Sequence, residues 1–242
     1  MGYEAFSNVY DKLMQNVDYK KRTEYLISIF KRFDKIPTLM LDLACGTGGF
    51  TEQFLNSGID VIGVDASEDM LNIAHERLPQ CLLLNQKAEE LDLFGTVDGA
   101  VCLMDSLNHI TDYDGFCKAI ERTALFLEKD RLFVFDVNTE YKHKNILGNN
   151  SFVMEGNGVF CTWQNETDQN VVTEIMLDFF IEQESGEYLR FSEDFCERAY
   201  TKPQIENALN SAGLEIVAIL DDMTFIEPKK TSERLYYVTR KI

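Results

Sequence analysis

LMLDLACGTGGF, residues 39–50, joins an unbroken apolar run to an acid and a Gly-x-Gly-Gly turn. Helical spacing of apolar residues resumes at 51–55, so the pattern predicts a strand, a tight loop and a helix. Gly46 and Gly48 lack a Cβ, which lets a ligand approach the main chain. The first turn of the helix also offers free N–H groups. The stretch therefore predicts a nucleotide-binding loop.

A second buried strand, over residues 59–64, ends in the carboxylate of Asp65. In doubly wound folds an acid about 20 residues after the glycine turn lies at the tip of the second strand and accepts the ribose hydroxyls. Asp65 is the predicted ribose ligand, and the alternative is that it only caps the helix opening at Ser67. A G-x-G-x-x-G fingerprint would need glycine at position 51, where Thr51 stands. This disfavours a site for a dinucleotide pyrophosphate.

Residues 42–48 resemble motif I of the class I S-adenosylmethionine-dependent methyltransferases, and VDASEDML at 64–71 resembles the strand-two motif of that family. The resemblance implies an enzyme with a doubly wound, Rossmann-like α/β sheet of seven strands and helices on both faces. It implies S-adenosyl-L-methionine as cofactor and S-adenosyl-L-homocysteine as product. The implied cofactor-binding residues are Tyr3, Asp42, Ala44, Gly46, Thr47, Gly48, Asp65, Ala66, Met70, Gln86, Lys87, Ala88 and Met104.

In the resembling family the loop after the third strand, here residues 85–91, holds the adenine, commonly through an acid. Lys87 stands at the position expected for that acid. A lysine cannot accept a hydrogen bond. We therefore expect adenine recognition by backbone groups of Lys87 and Ala88, or by Gln86.

The composition narrows the class of acceptor. The 242 residues carry a net charge of −18, which provides no basic surface for a nucleic acid or an anionic membrane. A small-molecule methyl acceptor or a basic protein segment fits better, and the resemblance implies the small molecule. Six cysteines without a C-x-x-C pair predict reduced thiols, and no metal-ligand spacing is visible. Without a signal peptide or a long apolar run, the sequence predicts a cytoplasmic protein. It leaves the oligomeric state open, a homodimer being one option.

Strands and helices alternate from residue 39 to residue 137, which predicts a parallel sheet. Two strands near the carboxyl terminus, predicted as an antiparallel pair, complete it. We expect residues 1–138 and 202–242 to form the methyltransferase domain, with residues 1–36 as an N-terminal helical lid. Period-two aromatic runs at 171–183 and 188–200 predict an antiparallel sheet within an insertion over residues 139–201, which covers the substrate.

A polar cluster follows the fourth strand and resembles the motif IV loop of amino-sugar N-methyltransferases. His109 is suited to accepting a proton near neutral pH, and Asp105 is expected to orient it; both can alternatively serve only as packing and capping residues. The resemblance implies a further catalytic or positioning role for Tyr10. It also suggests substrate contacts for Arg198 and Tyr200.

Three alternatives remain open at this level. The acceptor atom is a nitrogen or an oxygen, and a hydroxyl oxygen would depend on a general base more strongly than an amine nitrogen. A non-catalytic S-adenosylmethionine sensor of the same fold would bind the cofactor without turnover. A nicotinamide dehydrogenase is disfavoured by Thr51.

Overall fold

The computed structural model describes residues 17–156, 158–183 and 185–242. The helix predicted over residues 3–15, together with Tyr3 and Tyr10, lies outside the described residues. Helices α1 to α5 cover Tyr19–Arg32, Gly49–Asn56, Glu68–Arg77, Tyr113–Phe126 and Lys202–Ser211. Strands β1 to β11 cover Leu39–Leu43, Asp60–Asp65, Leu82–Asn85, Gly99–Cys102, Leu132–Asn138, Ser151–Gly156, Val159–Thr167, Val172–Glu182, Tyr188–Arg198, Leu214–Asp221 and Arg234–Lys241. Short helical segments occur at Ala88–Glu90, Ser106–His109 and Lys142–Leu147.

One sheet of the described chain has seven strands in the order β10-β11-β5-β4-β1-β2-β3. The five strands from β5 to β3 are parallel, whereas β11 is antiparallel to both β5 and β10. The predicted seven-stranded sheet with its antiparallel final pair is confirmed. Winding reverses between β1 and β4, which places the ligand crevice at the carboxyl ends of these strands.

Side-chain caps fix the starts of two helices that follow strands of this sheet. Ser67 accepts a hydrogen bond from the Met70 N–H before α3, and Asp112 accepts one from the Gly115 N–H before α4. Because these caps satisfy N–H groups that the helix leaves free, each loop after a strand stops at a defined residue. The polar side chains of the loops are held in place as a result.

The strands β6 to β9 form a separate antiparallel sheet in chain order. Its two long strands, β8 and β9, correspond to the two aromatic runs predicted from the sequence. Along β9 the side chains alternate, so that Glu193 and Glu197 are buried while Asp194 and Cys196 are exposed. This parity decides which β9 residues reach the site.

Two apolar layers cover the faces of the large sheet. One contains Phe116 of α4 and Phe135 of β5, and the other contains Phe30 of α1 and Phe54 of α2. Among the described residues, no helix combines the length and the apolar character needed to cross a bilayer.

Replacing Phe116 by alanine tests the packing of the α4 layer. Phe116 is fully buried and its ring centroid lies 4.0 Å from that of Tyr200, so Phe116→Ala should lower the free energy of unfolding by about 3–5 kcal/mol. Urea unfolding followed by circular dichroism measures this. Phe94→Ala, at a fully exposed ring, is the control and should change stability by no more than about 0.5 kcal/mol. Equal losses in both variants would contradict the assigned core.

Candidate active site

A cavity of about 820 Å³ lies at the carboxyl ends of β1, β2 and β4, beneath the small sheet. Its lining includes all the described residues predicted to bind cofactor except Gly48 and Lys87, together with Asp105 and His109. Val17 and Tyr19, at the start of the described chain, line it as well. The structure therefore brings most of the predicted site into one space.

The loop after β1 turns through three left-handed residues: Ala44, Gly46 and Gly48. A Cβ at Gly46 would meet no atom within 4 Å, so the main chain there is open on the cavity side. Gly48 differs, because a Cβ there would lie 2.9 Å from the Leu78 side chain. Position 48 requires a glycine because of its φ of +80° and its packing against α3. Gly48 does not line the cavity, so the structure does not support its predicted ligand contact.

Asp65 ties the first two strand ends together. Its carboxylate accepts hydrogen bonds from the backbone N–H of Gly46 and of Ser67, both at 2.8 Å. Burial raises the pKa of the Asp65 carboxyl, and these N–H groups partly offset the rise. Each carboxylate oxygen keeps a lone pair that can accept a ligand hydroxyl.

Asp42 lies beside this loop and is almost fully buried. The Thr51 hydroxyl donates to it at 2.6 Å. Burial raises the pKa of the Asp42 carboxyl to about 7, although this hydrogen bond lowers it. Thr51, which argued against a dinucleotide fingerprint, thus has a defined role as a donor to Asp42.

The loop after β3 differs from the prediction in its side chains. The Gln86 amide is already paired with the backbone of Asp92, donating at 3.1 Å and accepting at 2.9 Å. Lys87 does not line the cavity, whereas Ala88 and Glu89 do. Glu89 therefore places an acid at the cavity wall, two residues after the position where the sequence analysis expected one.

The segment after β4 carries Met104 and Asp105 in left-handed conformations, with φ of 58° and 54°. Such conformations are unfavourable for residues with a Cβ and persist only where the surroundings impose them. Here the buried carboxylate of Asp136 accepts the N–H of Met104 at 2.7 Å and that of Asp105 at 3.0 Å. The backbone strain is held by one side chain of β5.

Arg234 of β11 completes this arrangement by pairing with both Asp136 and Asp105, the latter at 3.2 Å. Burial raises the pKa of the Asp105 carboxyl, but the charges of Arg234 and Lys142 outweigh it and hold that pKa below its usual range. Burial keeps the pKa of Asp136 raised despite Arg234. Asp105 is therefore a fixed negative charge at the edge of the cavity.

His109 faces the cavity and contacts the small sheet. Its ring centroid lies 5.0 Å from that of Phe195, and its Nε2 lies 3.7 Å from Oε1 of Glu197. Burial lowers the pKa of the His109 imidazole although Asp105 raises it, so the ring is neutral at pH 7. The side chain is 42% exposed because one side of it opens on the cavity.

Glu197 was not found by sequence reasoning. Asn138 donates a hydrogen bond to its Oε2 at 3.3 Å, and Nε2 of His143 lies 3.7 Å from the same oxygen. Burial and the nearby Asp105 raise the pKa of the Glu197 carboxyl to about 8. The period-two pattern Glu193-Phe195-Glu197 is the signal that could have identified it, because these residues share one face of β9.

Arg198 and Tyr200 do not line the cavity, so their predicted substrate contacts are not supported. Arg198 donates to the Thr111 carbonyl at 3.0 Å, and the Tyr200 hydroxyl donates to the carbonyls of Ile110 and Asp112. Arg198 follows the opposite parity on β9 to Glu197, and Tyr200 lies in the α4 layer. Both instead hold the segment that leads from His109 into α4.

Comparison with known proteins agrees with this geometry. Residues 40–125 match the family model of a methyltransferase domain. A crystal structure of an S-adenosylmethionine-dependent methyltransferase from Clostridium acetobutylicum ATCC 824 has a TM-score of 0.90 and 31% identity, covering 99% of this chain and 98% of that one. The putative methyltransferase YqeM of Bacillus subtilis (strain 168) is 28% identical over an alignment of 247 positions, which covers 100% of this chain and 98% of YqeM.

A more distant relative is the dTDP-3-amino-3,6-dideoxy-alpha-D-glucopyranose N,N-dimethyltransferase of Streptomyces fradiae. It is 27% identical over 132 residues, which is 54% of this chain and 52% of that enzyme. With full-length similarity to a solved structure above 30% identity, the chain belongs to the class I S-adenosylmethionine-dependent methyltransferases. It is an enzyme, and its cofactor is S-adenosyl-L-methionine.

The cavity fits this cofactor on two observations. The main chain at Gly46 is open on the cavity side, and Asp65 lies beside it with acceptor capacity left over. The volume is within the usual range for small-molecule sites. The individual residue contacts with the cofactor stay predictions.

Removing the Asp65 carboxylate should weaken cofactor binding. Asp65→Ala deletes both the acceptor for the Gly46 N–H and the predicted ribose acceptor, so the Kd for S-adenosylhomocysteine should rise at least ten-fold. Isothermal titration calorimetry measures this. Asp60→Ala, at the exposed start of the same strand, is the control. Unchanged affinity in folded Asp65→Ala would overturn the ribose assignment.

Removing the Arg234 guanidinium leaves two buried carboxyl groups without a counter-charge. Arg234→Leu should cost about 3–5 kcal/mol of unfolding free energy at pH 8. The loss should shrink at pH 5, because Asp105 and Asp136 without Arg234 have raised pKa values and take up protons in the folded state. Arg240→Leu, on the same strand but half exposed, should have little effect at either pH. A pH-independent loss would contradict the electrostatic origin.

Proposed function

We propose that the enzyme transfers the methyl group of S-adenosylmethionine to an amine nitrogen of a small molecule. The observation that carries this proposal is the pair His109 and Glu197 at the cavity wall, with 3.7 Å between Nε2 and Oε1. An amine bound as its ammonium ion must lose a proton before it can attack. A neutral imidazole beside a carboxyl group is suited to take it.

Asp65, Asp42 and the open main chain at Gly46 would hold the cofactor, with Glu89 on the adenine side. The bound cofactor supplies a methyl group on a positively charged sulfur, which an in-line nucleophile displaces. The residues of the chain therefore have to hold the acceptor near that methyl group, exclude water and remove one proton. We assign no covalent step to any side chain.

In this proposal His109 accepts the acceptor's proton on its neutral imidazole, and the resulting imidazolium lies among negative charges. Asp105 stays ionised because of Arg234 and Lys142. Glu197 faces the His109 ring directly and adds its negative charge as the pH rises through its pKa of about 8. Asp105 and Glu197 act as positioning residues that stabilise the protonated ring. Tyr10, outside the described residues, is proposed as a further catalytic or positioning residue.

Water exclusion is assigned to the small sheet. Its contributions to the cavity lining are mostly apolar and aromatic: Met154, Trp163, Ile175, Leu177, Phe179 and Phe195. We propose that residues 139–201 are a substrate-covering subdomain inserted between residues 1–138 and 202–242. The relative from Streptomyces fradiae is named as an N,N-dimethyltransferase of an amino sugar, which supports a small amine-bearing acceptor here as well.

The class of acceptor is tested by turnover. Amino sugars, amino acids and polyamines, each with a matched hydroxyl analogue, are incubated with enzyme and S-adenosylmethionine. Release of S-adenosylhomocysteine and the mass of the product report methylation. We expect turnover among the amines and none with their hydroxyl analogues. Methylation of the hydroxyl compounds alone, or cofactor binding without any turnover, would contradict the proposal.

The pH dependence of kcat tests Glu197. Because burial raises its pKa to about 8, Glu197 gains its charge as the pH rises through that value, and kcat should rise with it. Glu197→Gln should remove this inflection and lower kcat at pH 9 roughly ten-fold or more. Glu174→Gln, on the exposed face of β8, should keep the wild-type profile. An inflection that survives in Glu197→Gln would refute this role.

Folding of the variant can be checked independently. A raised carboxyl pKa in the folded state means that stability falls as the pH rises from about 4.5 to 8. Glu197→Gln should therefore be at least as stable as the wild type at pH 9, so that a loss of kcat there does not arise from unfolding.

A further inference from the structure

Glu193 is a buried carboxyl group in the cavity wall that the proposed reaction does not use. Its side chain lines the cavity, the residue is only 6% exposed, and its Oε2 has no hydrogen-bond partner among the described residues. Its neighbours in the sheet are apolar, because Glu193 pairs with Leu177, and Leu177 with Trp163. The described residues therefore give the Glu193 Oε2 atom no hydrogen-bond donor.

An unpaired buried carboxyl group is costly, and such groups are rare unless a ligand or an ion uses them. The two cations in the cavity lining are already engaged. Arg234 pairs with Asp105 and Asp136, and Lys142 donates to the Asn138 side chain at 2.9 Å. Among the described lining residues no lysine or arginine is left for Glu193, and a bound molecule can supply the missing cation. Burial raises the pKa of the Glu193 carboxyl, as expected for an acid whose counter-ion is a ligand.

The position of Glu193 relative to Glu197 defines the shape of that molecule. Both lie on the same face of β9, and four residues of extended strand separate their Cα atoms by about 13 Å. Phe195 lies between them on that face, with its ring against His109. An aromatic ring between two carboxyl groups suits an apolar linker with a positive charge at each end.

We infer that Glu193 binds a second cationic group of the acceptor, so that the acceptor is an elongated molecule with two basic nitrogens. One nitrogen lies at His109 and Glu197, where it is methylated, and the other pairs with Glu193 beyond Phe195. This inference rests on the proposed function, since it assumes an amine at His109. Glu193 sets specificity and takes no part in proton transfer.

Binding of diamines against monoamines tests the inference. Isothermal titration calorimetry is performed on protein saturated with S-adenosylhomocysteine, using 1,8-diaminooctane and cadaverine against octylamine and pentylamine, which have the same carbon chains. In the wild type the diamine of each pair should bind roughly ten-fold tighter or more, because it gains a charge-assisted pair with Glu193. Glu193→Gln should abolish this advantage and leave monoamine affinity unchanged.

Asp194→Asn is the matched control, because it removes the same charge one residue further along β9 on the exposed face. It should keep the diamine advantage. Amine binding without a diamine advantage, or an advantage that survives in Glu193→Gln, overturns the inference and leaves the proposed function intact. Binding of S-adenosylhomocysteine with no binding of any amine overturns both.

Stability separates a ligand-binding role from a structural one. Glu193→Leu matches the apolar neighbours of Glu193 and removes an unpaired carboxyl group, so its urea midpoint at pH 8 should lie above that of the wild type. A carboxyl group with a structural partner would give the opposite sign. If the urea midpoints of Glu193→Leu and Glu193→Gln both lie below that of the wild type, the assignment of Glu193 to a ligand is contradicted.

Discussion

The pairing of one arginine with two buried carboxylates determines the geometry of the acceptor side of the site. Arg234, from the last strand, neutralises Asp136 and Asp105, and Asp136 in turn holds the strained backbone of Met104 and Asp105. Without the arginine, both carboxylates would lose their ion-pair partner in a low-dielectric interior, and one of them, Asp136, is the acceptor that keeps the loop left-handed. His109 occupies its position because this loop cannot relax.

The same network couples the two sheets. Asn138 of the large sheet donates hydrogen bonds to Asp105 and to Glu197. It therefore connects the loop after β4 with β9 of the small sheet. The buried Asn108 links its own turn to β5 and to β9, through the backbone of Asn138 and the Arg198 carbonyl. Polar groups thus fix the small sheet over the cavity, while its apolar residues line that cavity. In the proposed reaction, positioning and water exclusion are two of the requirements of methyl transfer, and different residues around the one cavity would meet them.

The parts of the site that were predictable from sequence are those carried by contiguous residues. Two short stretches of sequence, one around Asp42 and one around Asp65, each contain a strand, an acid and a turn. Interactions between residues close in sequence are enough to form these features. Arg234 and Glu197 lie far from His109 along the chain, and only the pairing of β11 with β5 and the folding of β9 over the cavity bring them near it. No local pattern contains such contacts. The predicted substrate contact of Arg198 is unsupported for a different reason. The alternation of side chains along β9 directs Arg198 away from the cavity, and this alternation is visible in the sequence.

We propose that the cofactor and the acceptor occupy two adjoining halves of one cavity. Hydrogen exchange measured by mass spectrometry tests this, first with S-adenosylhomocysteine and then with the amine that turns over fastest. We predict that S-adenosylhomocysteine slows exchange in residues 42–48, 65–70 and 86–89, and that the amine adds protection in residues 104–109 and 193–197. Protection by the amine elsewhere, with the last two segments unchanged, would contradict the account.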